Sequence, residues 1–166
     1  MEIINGERLV LGTCYYPEHW DESLWRDDLK RMLENGIEVI RIAEFAWSKI
    51  ERYEGVFNYD FFDRFLDVAA DMGMKVIFCT PTATPPAWLT EKYPEVLNAN
   101  MDGVLYRHGG RRHYNYNSPK YQELTTIIVE KSASHYAKHP AIIGWQIDNE
   151  LNCEKNEFYS ESSANF

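Results

Sequence analysis

Basic residues are in short supply: 17 Lys and Arg stand against 26 Asp and Glu, a formal charge of -9 over 166 residues. A field of that sign repels phosphate backbones and anionic membrane surfaces, so neither nucleic acid nor a membrane is expected as a partner. Long apolar runs are missing as well, and nothing approaches the roughly 18 residues of a membrane span. The three cysteines, Cys14, Cys79 and Cys153, are odd in number and far apart. That spacing fits a reducing compartment better than a disulfide framework. The opening residues, Met1 to Arg8, carry acids where a signal peptide needs bases, and no apolar core follows them. A cytoplasmic location is the expectation. What remains is 45% hydrophobic and 14% aromatic, enough to bury a substantial core.

The apolar pattern alternates between strand and helix. Leu9 to Thr13 is a short apolar run, after which Asp21 caps a helix whose Trp25, Leu29, Met32 and Leu33 share one face. Trp20 and Trp25 have the spacing of a hydrophobic staple, and Gly36 stands where a left-handed residue ends the helix. The second step pairs a strand at Ile37 to Ala43 with a helix carrying Phe62, Phe65, Leu66, Ala69 and Met72, stapled by Phe57 and Phe62 around Asn58 and closed by Gly73. A third strand is expected at Lys75 to Thr80. About 37 residues then separate it from a helix starting at Ser118-Pro119, and a loop of that length inside a compact domain is usually functional. That helix runs to about Lys138 with Leu124, Ile127, Ile128 and Ala137 on one side. A fourth strand follows at Ala141 to Ile147. Residues 1–166 read as a single partial domain, with no repeat and no low-complexity linker.

Strands separated by helices imply a parallel sheet, open or closed. The first turn, Cys14 to Trp20, holds no glycine-rich phosphate cradle, which removes the nucleotide rationale for an open sheet. Polar and aromatic residues follow every strand: Tyr15, Tyr16, Glu18 and His19, then Glu44, Phe45 and Trp47, then Thr80, Thr82 and Thr84, then Asp148, Asn149 and Glu150. That is where βα barrels keep their active sites. Four strands are half of such a barrel, so the expected fold is α/β, the first half of a TIM-type (β/α)8 barrel, strands 1 to 4. Its first and fourth strands would be unpaired edges.

The sharpest chemical signal is Trp145-Gln146-Ile147-Asp148-Asn149-Glu150, a strand that passes straight into amide and acid side chains. Glycoside hydrolysis needs a carboxylic acid to protonate the leaving oxygen, and a strand end holds that group firmly. Asn149 is placed to hydrogen-bond a sugar hydroxyl. The competing reading is a solvated helix start, where acids are common. Tyr15, Tyr16, Trp20, Trp47 and Trp88 offer flat faces suited to sugar rings, although each taken singly also suits the core. Arg107, Arg111 and Arg112, with their adjacent histidines, read by composition as an exposed basic loop, and in an acidic chain without a nucleic-acid fold not as a nucleic-acid patch.

Five blocks in order carry a resemblance: Tyr15 to Trp20, Arg41 to Ser48, Thr82 to Leu89, Gly109 to Tyr114 and Gln146 to Glu150. Together they resemble the amino-terminal part of the family 42 β-galactosidases. The resemblance implies a (β/α)8 catalytic barrel that hydrolyses terminal non-reducing β-D-galactosides with retention. It also implies Glu150 as proton donor and acid/base, Asn149 and Arg111 as substrate contacts, a galactoside as partner, and a homotrimer for the complete enzyme.

Two departures from the family pattern qualify it. Many members hold a structural zinc through cysteines, but Asn115 occupies the first of those positions and only Cys153 remains of the later cluster. One thiolate cannot close a tetrahedral site, so no metal and no cofactor are expected. The family's nucleophile follows the seventh strand, and no segment of this chain matches it. Glu18, Glu44 and Asp148 face the same rim without matching that motif. The chain therefore reads as a fragment bearing the acid/base, expected to be inactive alone. A mannanase or endoglucanase type of barrel and a non-catalytic sugar-binding half-barrel are the alternatives. The Tyr-Tyr-Pro-Glu and Gly-Gly-Arg-Arg-His-Tyr blocks argue against the first of these.

Overall fold

A computed structural model describes residues 9–110, 112–151 and 157–163. They form two compact units. The first gathers residues up to Glu44 with Tyr59–Thr80 and His135–Ile147; the second gathers Phe45–Asn58, Pro81–Ser134 and the residues from Asp148 onward.

The first unit is a four-stranded parallel sheet with helices between its strands. Strands β1 (Leu11–Cys14), β2 (Ile37–Ile42), β5 (Lys75–Cys79) and β6 (Ile142–Gln146) lie in chain order. All three pairings are parallel, as helical crossovers between neighbouring strands require. The register sets Cys14 opposite Arg41, Ile42 opposite Phe78 and Cys79 opposite Gln146, so the carboxyl ends of the strands are level. Helices α1 (Trp25–Glu34) and α3 (Asp60–Asp71) bury Trp25, Leu29, Phe62, Phe65, Leu66 and Ala69. Beyond these helices Gly36 and Gly73 have φ of 79° and 77°, values an L side chain adopts only with strain.

The helix starts differ from the expected pattern in detail. The Asp21 carboxylate accepts the Ser23 N–H at 2.9 Å, as a cap should, but a 3-10 turn at Glu22–Leu24 precedes α1. Trp20 stays exposed at 54%, whereas Trp25 is buried and its indole N–H donates to the Pro17 carbonyl. The proposed staple is replaced by that hydrogen bond. The third helix begins at Asp60 rather than at Asn58, with Tyr59 before it and no side-chain cap. Strand β1 is exposed along its length, and with β6 it forms an edge of the sheet. Cys79 is fully buried while Cys14 is exposed, so only the former behaves as a small core residue. Burial pushes the Cys79 thiol up to about 12, with Arg41 working in the opposite direction.

The second unit was largely undivided loop in the sequence pattern. It contains α2 (Trp47–Ile50), the hairpin of β3 (Glu51–Tyr53) and β4 (Val56–Phe57), α4 (Ala87–Lys92) and most of α5 (Pro119–Tyr136). Glu51 ties the hairpin together: one carboxylate oxygen accepts the Gly55 N–H and the other the Trp47 indole N–H, each at 2.7 Å. Burial raises its pKa, and those two donors oppose the shift. Helix α5 buries Tyr121, Leu124, Ile128 and Ser132, while Ala137 falls past its end and is exposed.

Phe65 is fully buried, stacked on Tyr15 at 5.7 Å and edge-on to Trp25 at 5.1 Å. Phe65→Ala is expected to cost about 3 to 5 kcal/mol, and Trp20→Ala less than about 0.5 kcal/mol. Denaturant melts of both variants check the contrast; equal losses would show that this aromatic cluster does not anchor the first unit.

Candidate active site

In the first unit the level strand ends carry a polar cluster. The Arg41 guanidinium donates to Gln146 Oε1 at 2.6 Å and to Cys14 Sγ at 3.0 Å, and it pairs with the carboxylate of Glu44. Glu44 is buried and follows Ala43, whose φ is 69°. Its carboxylate is thus committed to an arginine. Two of the aromatics read as possible sugar platforms prove to be core. Tyr15 is buried against Phe65 and donates its hydroxyl to Asp28 at 2.8 Å, and Trp47 is fully buried in the second unit.

The second unit contains a cavity of about 260 Å³, near the small end of ligand pockets. Thr84, His108, Gly110, Arg112, His113 and Asn149 are among its lining residues. Three buried side-chain polar atoms of this unit have no partner among the described residues: Thr84 Oγ1, Arg112 Nη2 and His113 Nε2. All three residues line the cavity. Buried polar groups are normally satisfied, so three exceptions around one cavity point to a polar ligand. Their chemistry is complementary. Arg112 only donates and Thr84 can do either. His113 Nδ1 lies 2.6 Å from the Gly110 carbonyl, which only accepts, so that nitrogen carries the proton. Burial lowers the His113 pKa and the neighbouring His108 adds to this, against the Gly110 carbonyl. In the neutral ring that this shift favours, Nε2 is an acceptor. A donor, an acceptor and a hydroxyl around one small cavity match vicinal hydroxyls.

Asn149 is buried in the wall of this cavity, and Glu150 follows it, exposed. The Asn149 side-chain amide reaches Glu150 Oε2 at 3.4 Å. Arg111 lies outside the described residues. What sequence reasoning missed is how the Asp148–Glu150 turn is held. Asp148 Oδ1 accepts from Arg112 Nη1 at 3.0 Å and from the Asn149 N–H at 2.6 Å, while Oδ2 accepts from Thr82 Oγ1 at 2.7 Å. The donors are themselves tethered: Arg112 Nη1 also bonds the Tyr114 hydroxyl, and the Tyr121 hydroxyl donates to the Thr82 carbonyl at 2.8 Å. Asp148 and Glu150 have φ of 54° and 46°, a left-handed conformation that aspartate adopts readily but that costs a glutamate on the order of 1 to 3 kcal/mol. The only advance signal was an acid and two arginines in separate blocks.

A polar cavity with Asn149 in its wall and Glu150 next in sequence, in a chain built on a parallel α/β sheet, is compatible with the glycoside hydrolase barrels as a class. The comparisons then specify it. The pattern of the family 42 glycosyl hydrolases, described as β-galactosidase, matches residues 14–166, and the chain belongs to that family. It is 43% identical over 145 residues to the β-galactosidase Bga of Halorubrum lacusprofundi and 45% identical over 144 residues to the β-galactosidase BgaA of a Thermus species. Each match covers 87% of this chain, but only 21% and 22% of the relatives. The chain thus spans about a fifth of the proteins it matches. The crystal structure of the β-galactosidase of the psychrophilic Marinomonas ef1 superposes with a TM-score of 0.89 at 41% identity, covering 93% of this chain and 24% of that one. The sheet is therefore the first half of a TIM-type (β/α)8 barrel, strands 1 to 4.

The residues present do not fit the zinc centre that the family pattern implies. Asn115, fully buried, donates from Nδ2 to Ser160 Oγ at 2.6 Å and to Ser163 Oγ at 2.7 Å, and its Oδ1 accepts the Asn117 N–H at 2.8 Å. A position whose nitrogen donates to two hydroxyls offers no thiolate to a metal. Among the described residues no cluster of three or more His, Cys, Asp or Glu is placed to hold an ion; Cys153 lies outside them. Asn115→Ala should cost about 1 to 3 kcal/mol through the unpaired buried groups left behind, seen as a lower melting temperature. Excess EDTA should leave the melting temperature of the unaltered protein in place; a drop comparable to that of Asn115→Ala would mean that a metal is held after all.

Proposed function

We propose that residues 1–166 are the acid/base-bearing part of the catalytic barrel domain of a β-galactosidase, acting on terminal non-reducing β-D-galactosides by a retaining, two-carboxylate mechanism. The observation that carries this reading is Asn149 in the wall of a cavity whose unpaired polar atoms match a polyol, with Glu150 next in sequence, in a chain of family 42. Glu150 is the proton donor. In the first step a nucleophilic carboxylate outside this chain attacks the anomeric carbon while Glu150 protonates the departing glycosidic oxygen. In the second step the ionised Glu150 takes a proton from water, which displaces the nucleophile and restores the acid. Asn149 and Arg111 bind the galactose; a guanidinium offers fixed donors to neighbouring hydroxyls.

The wider reading is a cytoplasmic enzyme without a cofactor, forming a homotrimer when complete. One observation supports an intracellular setting: Cys14 and Cys79 are both free thiols.

Glu150→Gln in the complete enzyme is expected to cut kcat/KM on lactose by about 10² to 10⁴-fold while largely sparing a dinitrophenyl β-galactoside, whose leaving group needs no proton. Equal losses on both substrates would remove the acid role. Arg111→Ala should weaken inhibition by galactose along with turnover; an unchanged galactose inhibition constant would assign that arginine to the loop instead.

A further inference from the structure

We propose that Asp148, clasped by Arg112 and Thr82, is a positioning residue for proton transfer, acting through the backbone turn that presents Glu150. The proposal rests on the reading of Glu150 as the acid/base and explains how one exposed side chain at the end of a strand is aimed.

The carboxylate of Asp148 is the meeting point of three segments of the second unit: the turn after β5 through Thr82, the glycine- and arginine-rich loop through Arg112, and its own turn through the Asn149 N–H. The bond to Asn149 is the informative one. A carboxylate that accepts the N–H of the next residue fixes the peptide linking positions 148 and 149, and that peptide sets where Asn149 and Glu150 emerge. The residues at 148 and 150 both hold left-handed conformations, φ 54° and 46°; an aspartate visits this region readily, but a glutamate keeps it only where surrounding contacts enforce it. Arg112 and Thr82 supply such contacts. Arg112 is 2% exposed and Asp148 8% exposed, so their charge-assisted bonds are shielded from competing water. Arg112 holds a left-handed backbone of its own, φ 56°, beside the cavity that Asn149 lines. One ion pair therefore connects the sugar cavity to the turn that carries the acid.

A purely structural clasp and a positioning clasp differ in what their loss does to chemistry. The test uses the complete enzyme with Asp148→Asn, Thr82→Val and Arg112→Lys, and Glu150→Ala as the reference. Asparagine tolerates the left-handed backbone and valine is close to threonine in shape, so neither change adds bulk to the turn. Each variant is assayed for kcat/KM on lactose and on a dinitrophenyl β-galactoside, with and without azide, an anion that attacks the glycosyl intermediate without needing a general base. The expected result is that Asp148→Asn loses about 10²-fold or more on lactose but less than about 10-fold on the activated substrate, that azide accelerates its turnover and yields β-galactosyl azide, and that Thr82→Val shows the same pattern at smaller size. Arg112→Lys, which keeps the charge and loses the fork, is expected to fall between them. Equal losses on both substrates with no azide effect, while Glu150→Ala does show the split, would overturn the positioning role and leave the acid assignment intact. Absence of the split in Glu150→Ala itself would instead overturn the acid assignment and the proposal with it.

Discussion

A buried carboxylate can be held only where enough donors converge on it, and the convergence on Asp148 organises the second unit. Its two oxygens take a guanidinium, a threonine hydroxyl and a backbone N–H. The two side-chain donors are each tethered by a tyrosine: Tyr121 holds the carbonyl of Thr82 and Tyr114 holds Arg112, and the two rings stack at 4.7 Å. Removing one partner of such a buried pair leaves an uncompensated charge, so the loops have little freedom to drift apart. Long irregular segments thereby acquire the rigidity that a helix or strand obtains from its own backbone bonds.

The first unit was legible because its elements obey simple periods. Trp25 and Leu29 recur at helical spacing and are buried, Gly36 and Gly73 end helices in the left-handed region, and the four apolar runs became four parallel strands within one or two residues of their expected ends. The errors arose where a local signal competed with a tertiary bond. Trp20 has staple spacing, yet Trp25 found a partner for its indole N–H in the Pro17 carbonyl, and Trp20 was left outside. The hairpin of β3 and β4 was invisible because its strands are three and two residues long, too short for alternation to register. It is specified instead by Glu51 reaching both Trp47 and Gly55.

The site divides along a similar line. Asn149 and Glu150 could be named from sequence because a strand running into amide and acid is a local pattern. The supporting groups could not, since Thr82, Arg112 and Asp148 lie 30 and 36 residues apart and meet only in three dimensions. The aromatic residues show the opposite failure. Their composition suggested sugar platforms, but Tyr15 and Trp47 turned inward because packing against Phe65 and bonding to Glu51 satisfies both their apolar faces and their polar tips. Asn115, where the family resemblance implied a cysteine, is held by hydrogen bonds to Ser160 and Ser163, an arrangement no spacing rule would reveal.

The central claim is that this chain supplies the acid/base and the second carboxylate comes from elsewhere in the enzyme. Reaction of the complete enzyme with a 2-deoxy-2-fluoro-β-galactoside bearing a dinitrophenyl leaving group traps the covalent intermediate, and peptide mapping by mass spectrometry locates it. The account predicts a labelled glutamate outside residues 1–166 and no label on Glu150. A label on Glu44, Glu18 or any other carboxylate of this chain would contradict it.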